Sequence, residues 1–310
     1  MKDIRIVFMG TPELSVPVFK ALAETYNVVA VVTQPDKKTG RKQILTPSPI
    51  KLASAEFNIP LLQPVNIKEE YEKVLEYKPD MIITCAYGQI IPKQLLDYPK
   101  YKCINVHASL LPKLRGGAPI HHAIMDGYDK TGITIMYMDT KMDAGDIISQ
   151  KETKITKEDT LGTLHDRLSE MGKDLLMETL PNIISGNINP IKQDESEVTY
   201  GYNITKEDEK IDFTKTNIEV DNKVRALNPT PGAYTTLNGK RLKIYALRVS
   251  DRYYSRTTPG TIVGFEKDGI RVVAGTKEVI LTDIALEGKK RCLVKDYLNG
   301  VDKKELLGVV

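Results

Sequence analysis

The run CINVHASLLPKLRGGA, residues 103–118, is the most informative stretch of this chain. Residues 103–107 predict a short β-strand. Because side chains alternate across a strand, Asn105 and His107 share one face at its carboxyl end. Open α/β sheets bind their ligands at that edge. A tight apolar turn, two basic residues and a flexible Gly-Gly pair follow, so the stretch predicts the wall of a binding pocket.

A second polar group follows the next predicted strand, residues 132–138, in the run DTKMDAGD at 139–146. A carboxylate on this turn can lie across the pocket from His107, orient its imidazole or take up a proton. A cluster of Asn, His and Asp without Ser or Cys favours oxyanion stabilisation and direct group transfer over a covalent nucleophile. A single histidine that ends a strand is also typical of a structural residue, and spacing alone leaves both interpretations open.

Outward from this stretch, apolar strands alternate with helical patterns. Runs at 4–9, 28–33 and 81–86 predict buried parallel strands, and periodic leucines at 160–185 predict a long amphipathic helix. This alternation predicts a doubly wound, mostly parallel α/β sheet of the Rossmann-like kind. The first strand ends in Gly10 without the further glycines of the dinucleotide fingerprint, which disfavours a nicotinamide enzyme.

Composition restricts the class of protein. A chain of 310 residues exceeds the usual size of one core, so two domains are expected. The 41% hydrophobic and 27% charged residues are ordinary for a globular protein. Three widely spaced cysteines indicate neither a disulfide framework nor a zinc site, and no metal is expected. The chain starts directly with a strand and has no long apolar run, so a cytoplasmic protein without membrane contact is predicted.

From about residue 206 the helical periodicity of the sequence gives way to short β-like runs. The polar composition of residues 189–204 predicts a linker. The β-like runs that follow are separated by Gly, Asn and Asp turns. These runs predict a small β barrel. Residues 205–310 carry 20 basic and 15 acidic side chains, whereas the first 204 carry 24 and 26. This asymmetry favours a polyanionic partner for the second domain, although a mildly basic solubilising surface fits equally well.

Three segments together carry a resemblance to the folate-dependent formyltransferases. They are NVHASLLP at 105–112, RGGAPI at 115–120 and MDAGD at 142–146. The resemblance extends over nearly the whole chain and is strongest to the members that act on aminoacyl-tRNA. It implies that Asn105, His107 and Asp143 form the catalytic triad.

The resemblance also implies the two substrates and where they bind. The formyl donor is 10-formyltetrahydrofolate, with no metal, and the acceptor is the α-amine of initiator methionyl-tRNA. It implies an OB-like fold for the C-terminal barrel and the domains 1–188 (catalytic), 189–204 (linker) and 205–310 (tRNA-binding), in a monomer. The folate site is implied at two segments, whose residues are Ser109, Leu110, Leu111 and Pro112, and Tyr87, Gly88 and Ile90.

Contacts to tRNA are expected from two basic regions. The polar loop 34–43 matches a loop that enters the acceptor stem end in the tRNA-specific members, with Arg41 as its principal contact and Lys42 beside it, although such a run is commonly just solvated surface. The second region comprises Lys240, Arg241, Lys289 and Lys290 in the C-terminal domain. One departure concerns Thr230, which stands where relatives commonly have Trp.

Two other functions remain open on sequence grounds. A formyltransferase that acts on an amino sugar or a nucleotide would share the first domain, and competition between acceptors would separate it from the tRNA enzyme. A nucleic-acid-binding protein that has kept the fold without catalysis would show no folate turnover.

Overall fold

The structure, a computed structural model, describes residues 3–40, 42–306 and 308. Two compact units are present. Unit 1 comprises residues 1–119, 130–154 and 165–202, and unit 2 comprises 120–129, 155–164 and 203–310, within the described residues. The family-implied domain boundaries at 188 and 204 stay a prediction, because the segment 189–202 packs within unit 1.

Unit 1 is built on a seven-stranded sheet of order β5-β2-β1-β6-β7-β8-β9. Its strands, together with the hairpin β3–β4, are β1 (Arg5–Gly10), β2 (Asn27–Val32), β3 (Lys37–Thr39), β4 (Ile44–Thr46), β5 (Leu61–Leu62), β6 (Met81–Cys85), β7 (Cys103–His107), β8 (Lys130–Tyr137) and β9 (Ile147–Lys154). The first five strands of the order run parallel, β8 is antiparallel to β7, and β9 is antiparallel to β8. The predicted mostly parallel α/β sheet is confirmed.

Helices connect these strands along the chain. They are α1 (Val16–Thr25), α2 (Pro49–Ala55), α3 (Ile67–Glu70), α4 (Glu72–Leu75), α5 (Lys93–Asp97), α6 (Pro119–Met125) and α7 (Leu161–Ser185), with a 3-10 turn at Glu13–Ser15. Most of α6 and the first turn of α7 belong to unit 2. All of β6 and nearly all of β1 are buried, as expected for strands covered on both faces. This burial fixes β6 and β7 in the middle of the sheet, where β7 presents its polar residues.

Unit 2 is a separate antiparallel β domain of order β10-β11-β14-β13-β12, with β15 paired to β14. Its elements are α8 (Asn217–Ala226), β10 (Ala233–Leu237), β11 (Lys240–Ser250), β12 (Ile262–Phe265), β13 (Ile270–Ala274), β14 (Lys277–Leu286), β15 (Cys292–Leu293), α9 (Val294–Leu298) and a 3-10 turn at Lys303–Leu306. Fully buried Ile244, Val272, Leu281 and Ile284 form its core, against which Val224 of α8 packs. The expected C-terminal β domain is confirmed.

Several elements were not predicted, and three of them are informative. The polar loop 34–43 contains the first strand of the β3–β4 hairpin, β9 is a strand without a buried residue, and α8 is a helix inside the β-rich region. The start of α8 carries a capping box, because Thr216 accepts from the Glu219 N–H and the Glu219 carboxylate accepts from the Thr216 N–H. That Thr-x-x-Glu pattern was readable in the sequence.

The segment after α7 packs against the start of β9 and against the loop that follows β7. Ile191 pairs with Ile147, and the Arg115 N–H donates to the Thr199 carbonyl at 2.9 Å. The Gly201 N–H donates to the Arg115 carbonyl at 2.8 Å. Gly116 has φ +119°, and a Cβ there would lie 2.7 Å from the Gly201 carbonyl oxygen. Only glycine allows these two backbones to approach so closely.

In the described part of the chain, no helix is long and apolar enough to cross a membrane.

Candidate active site

Asn105 is oriented by its neighbour in the adjacent strand. Thr84 of β6 lies opposite Asn105 of β7, and its hydroxyl donates to Asn105 Oδ1 at 2.9 Å. Because Oδ1 is occupied as an acceptor, the amide nitrogen faces the other way. There Nδ2 lies 3.4 Å from Asp143 Oδ1. Thr84 thus directs the Asn105 amide donors toward the end of the strand.

His107 is buried and has a defined tautomer. Its Nε2 lies 3.0 Å from the Leu114 carbonyl oxygen, and only 5% of the residue is exposed. A carbonyl only accepts, so Nε2 carries the proton and donates. In the neutral ring Nδ1 is therefore unprotonated, and it lies 3.7 Å from Asp143 Oδ2. That distance exceeds a hydrogen bond, so Nδ1 is available to accept a proton.

Asp143 lies on the turn after β8 and meets both residues. Its Oδ2 accepts from the Gly116 N–H at 2.8 Å, and its backbone has the left-handed φ of +50°. Asp is among the residues that tolerate this region. The structure thus brings Asn105, His107 and Asp143 together, with the carboxylate between an amide and an imidazole. The roles of these residues in catalysis stay a prediction.

Two cysteines near the site are unsuited to nucleophilic chemistry. Cys103 shares the face of β7 with Asn105 and His107, and Cys85 ends β6. Burial raises the pKa of each thiol to about 12, with the Asp97 charge adding to the effect at Cys103. A buried thiol with so high a pKa is inert. Direct transfer to an acceptor is consistent with this environment.

The turn after β7 is held from inside. The Ser109 hydroxyl donates to the Lys113 carbonyl at 2.6 Å, and the Thr134 hydroxyl donates to the Ser109 carbonyl at 2.7 Å. The Leu111 N–H donates to Thr134 Oγ1, and the Leu111–Pro112 peptide bond is cis. Ser109 and Leu111 are buried, whereas Leu110 and Pro112 are half-buried. Of the four predicted folate contacts, the latter two are the more accessible.

The second predicted folate segment follows β6. Tyr87 is buried, and its hydroxyl has no hydrogen-bond partner among the described residues. Burial, and then the Glu70 charge, raise its pKa. Gly88 has φ +88° and is exposed, and Ile90 is 69% exposed. Of the three residues, Gly88 and Ile90 are accessible to a ligand, whereas the Tyr87 hydroxyl is enclosed by protein. These three contacts stay predictions.

The predicted tRNA contacts of unit 2 lie at neighbouring strand ends. Lys240 and Arg241 begin β11, and the Glu287 N–H after β14 donates to the Arg241 carbonyl at 2.8 Å. Lys289 and Lys290 follow on the same turn, and all four basic residues are exposed. In unit 1, Lys42 is exposed, whereas Arg41 lies outside the described residues.

Two arginine side chains of unit 2 lie over tyrosine rings. The Arg241 guanidinium lies 4.0 Å from the centroid of the Tyr234 ring, and that of Arg291 lies 4.2 Å from the Tyr245 centroid. Cation–π contacts of this kind order guanidinium groups without neutralising them. Arg291 is in addition paired with Asp283, with Nη2 2.7 Å from Oδ2. Unit 2 also holds a cavity of about 500 Å³, which none of the predicted contacts lines.

Sequence reasoning missed two residues that build the site. Thr84 orients Asn105, and its signal was a lone polar side chain in the apolar run MIITC. Gln193 donates to the carbonyls of Asp143 and Gly145, at 2.7 and 2.8 Å. It lies in a polar segment that read as a linker, and no sequence signal distinguished it.

Comparison with known proteins gives a family. A family model described as Formyl transferase matches residues 4–180, and one described as Formyl transferase, C-terminal domain matches residues 203–302. A methionyl-tRNA formyltransferase from Bacillus velezensis is 55% identical over 312 residues, which is 98% of each chain. One from Bacillus subtilis is 55% identical over 313 residues, again 98% of each chain.

A solved structure supports the fold. The sugar 3N-formyl transferase WlaRD, crystallised in the presence of dTDP and 5-N-formyl-THF, superposes with a TM-score of 0.68. The match covers 93% of this chain and 99% of WlaRD at 20% identity. At that identity the likeness concerns the fold alone.

Proposed function

The chain belongs to the formyl transferase family, and on that premise we propose that it transfers the formyl group of 10-formyltetrahydrofolate to the α-amine of initiator methionyl-tRNA. The product is N-formylmethionyl-tRNA, which serves translation initiation. The proposal is supported by relatives named methionyl-tRNA formyltransferase over 98% of the chain. One structural observation carries the chemistry, namely the meeting of Asn105, His107 and Asp143 at the end of the sheet.

The acceptor amine must be neutral to attack the formyl carbon. An α-amino group has a pKa of about 7.7 to 8.0 in model compounds, so a usable neutral fraction exists near pH 7. Attack forms a tetrahedral carbon with a negatively charged oxygen and a positively charged nitrogen. The nitrogen then loses a proton, the oxyanion collapses as the carbon–N10 bond breaks, and N10 takes up a proton, so that tetrahydrofolate is released.

Asn105 stabilises the oxyanion through its amide donors, which Thr84 directs toward the strand end. Oxyanion donors of this kind contribute roughly 2.7 to 4 kcal/mol to lowering the barrier. His107 has Nδ1 free of its backbone anchor, so it accepts the amine proton and, once protonated, donates to the oxyanion. The Asp143 carboxylate lies beside the position where the positive charge forms, with Oδ2 3.7 Å from Nδ1.

The tRNA contacts belong to the same proposal. Lys240, Arg241, Lys289 and Lys290 are exposed on neighbouring turns, where they meet phosphates without first leaving a buried environment. Arg41 and Lys42 are assigned to the acceptor end on the family resemblance. We further infer a monomer that acts in the cytoplasm, where its three unbridged cysteines stay reduced.

The decisive experiment supplies purified protein with 10-formyltetrahydrofolate and methionyl-tRNA and measures N-formylmethionine after hydrolysis of the ester. Parallel reactions replace the acceptor with a deoxythymidine-diphosphate amino sugar or with free methionine. Formylation of methionyl-tRNA alone supports the proposal. Preferential formylation of the amino sugar, or no turnover with any acceptor, contradicts it.

A further inference from the structure

Gln193 forms contacts on two sides of its side-chain amide. Nε2 donates to the carbonyl oxygens of Asp143 and Gly145, at 2.7 and 2.8 Å. Oε1 accepts from Arg115, at 3.0 Å from Nε and 2.9 Å from Nη2. The amide therefore links a guanidinium to the backbone on which the Asp143 carboxylate is mounted. All of these residues lie in unit 1.

Arg115, which donates to Gln193 Oε1, is itself held in place. The residue is only 2% exposed, and its Nη2 also lies 2.8 Å from Glu195 Oε1. The hydrogen bond from Arg115 lowers the pKa of Glu195, so this partner stays ionised. A guanidinium held on two sides in a buried position has little rotational freedom. Its planar fork therefore fixes the position of Gln193 Oε1.

The Asp143 turn needs such support. Asp143 has φ +50°, a conformation that non-glycine residues seldom adopt. Its carboxylate is held by the Gly116 N–H, and its carbonyl is held by Gln193. A Cβ on Gly145 would lie 1.9 Å from the Tyr137 carbonyl oxygen, so this turn is closely packed on β8. The side chain of Asp143 is thus held by Gly116, which follows Arg115 in the chain, and its backbone carbonyl is held by Gln193, which contacts Arg115.

Only an amide fits between these groups. The two carbonyls need donors and the guanidinium needs an acceptor, and among side chains of this length glutamine alone supplies both. A glutamate would satisfy Arg115 but would place negative oxygen against two carbonyl oxygens. The chemical identity of residue 193 is therefore constrained more tightly than its half-buried position implies.

We propose that Gln193 is a positioning residue for the transfer reaction, which sets the Asp143 carboxylate against His107 and Asn105 without touching either substrate. The inference rests on the proposed function. It assigns a catalytic consequence to a segment whose composition is that of a linker. A displacement of about 1 Å in a positioned group lowers turnover by up to about a hundredfold.

The test compares Gln193→Glu and Gln193→Met with the wild-type full-length protein. Glu keeps the acceptor for Arg115 and loses both donors, while Met removes all four contacts without adding charge. Both variants are expected to lower kcat about tenfold to a hundredfold, with KM for methionyl-tRNA and for 10-formyltetrahydrofolate changed less than about twofold. Turnover is normalised to the concentration of folate-binding sites, so a loss of folded protein does not mimic the effect.

Asn217→Asp is the matched control. Asn217 is a buried amide of unit 2 whose Nδ2 donates to the Ser250 carbonyl at 2.9 Å. This change also removes an amide donor to a backbone carbonyl and adds a charge. We expect it to lower Tm and to leave kcat unchanged. A Tm loss without a kcat loss separates stability from positioning.

The outcomes are distinguishable. An active wild type with unchanged kcat in both Gln193 variants overturns the inference and leaves the proposed function intact. A rise in KM with kcat preserved also overturns it, because Gln193 would then serve binding. A wild type that does not formylate methionyl-tRNA overturns both proposals. Where Gln193→Glu fails to fold, Gln193→Met carries the comparison.

Discussion

The two polar regions of this protein, the buried cluster around Asp143 and the basic turns of unit 2, are built in opposite ways. In the cluster Asn105 Oδ1, His107 Nε2 and Asp143 Oδ2 each have a hydrogen-bond partner, and His107 is 5% exposed. On the turns Lys240, Lys289 and Lys290 are exposed. Fixed donors in a buried site act on the barrier of a reaction, whereas exposed cations act on encounter and are screened by salt. From this difference we expect the first region to set kcat and the second to set KM for tRNA.

The largest expected effect comes from removing the imidazole. His107→Ala deletes the group that we propose accepts the amine proton and donates to the oxyanion, so kcat should fall by about 10² to 10³. Single-turnover formylation of methionyl-tRNA measures this directly. His165→Ala, which alters a partly exposed histidine paired with Asp166, is the control and should be silent. Near-normal turnover of the His107 variant would break the comparison.

A smaller effect is expected on the tRNA side. Lys289→Ala combined with Lys290→Ala should raise KM for methionyl-tRNA about tenfold and lower the slope of log K against log salt by roughly two, with kcat unchanged. Arg248→Ala removes a cation of the same unit that is paired with Glu266 and Asp268. It should change KM little. An unaltered salt slope in the double variant would exclude these lysines as phosphate contacts.

The comparison is sharpened by a variant that keeps size and removes one hydrogen bond. Thr84→Val removes the donor that orients Asn105, and at about 1 kcal/mol for such a bond kcat should fall about fivefold. Thr131→Val is the matched change in β8, where the buried hydroxyl has no hydrogen-bond partner among the described residues. That variant should keep kcat and gain stability. Equal kcat in both variants would remove Thr84 from the site.

The smallest effect concerns pH and unit 2 alone. Burial acts to raise the pKa of Glu278, but hydrogen bonds from Arg271, Tyr254 and Ser250 outweigh it, so the pKa lies below its usual value. The stabilisation this provides is present above the unfolded pKa of about 4.3 and is lost as pH falls through the lower folded value.

Glu278→Gln should therefore lower Tm at pH 7 and lower it less as the pH is brought below 4. Scanning calorimetry of both proteins across this range tests the sign. A Tm difference that is constant with pH would mean that Glu278 contributes through packing rather than through its charge.

The central strand and its polar residues were predictable from sequence because strand periodicity places Asn105 and His107 on one face. The position of Asp143 was implied by the family resemblance and not by the strand ends, because β8 is antiparallel to β7 and its last residue, Tyr137, lies opposite Ile104. Gln193 was not predictable, since its contacts join positions 50 and 78 residues apart and its segment has no periodicity. Strand β9 was missed because none of its residues is buried and most are polar, so its sequence shows little alternation of apolar and polar residues. Helix α8 was missed although its Thr-x-x-Glu capping box is visible in the sequence.

The contacts of residues 191–201 with β9 and with the loop after β7 have a consequence for how the protein folds during its synthesis on the ribosome. A nascent chain that has released residues 1–188 already holds Asn105, His107 and Asp143, yet Arg115 lacks Gln193, Glu195 and the Thr199 backbone. Domains fold as they emerge, from the amino terminus onward. We therefore expect formyl transfer only from chains that contain residues 193–199, because a protein truncated at residue 188 lacks these contacts to Arg115.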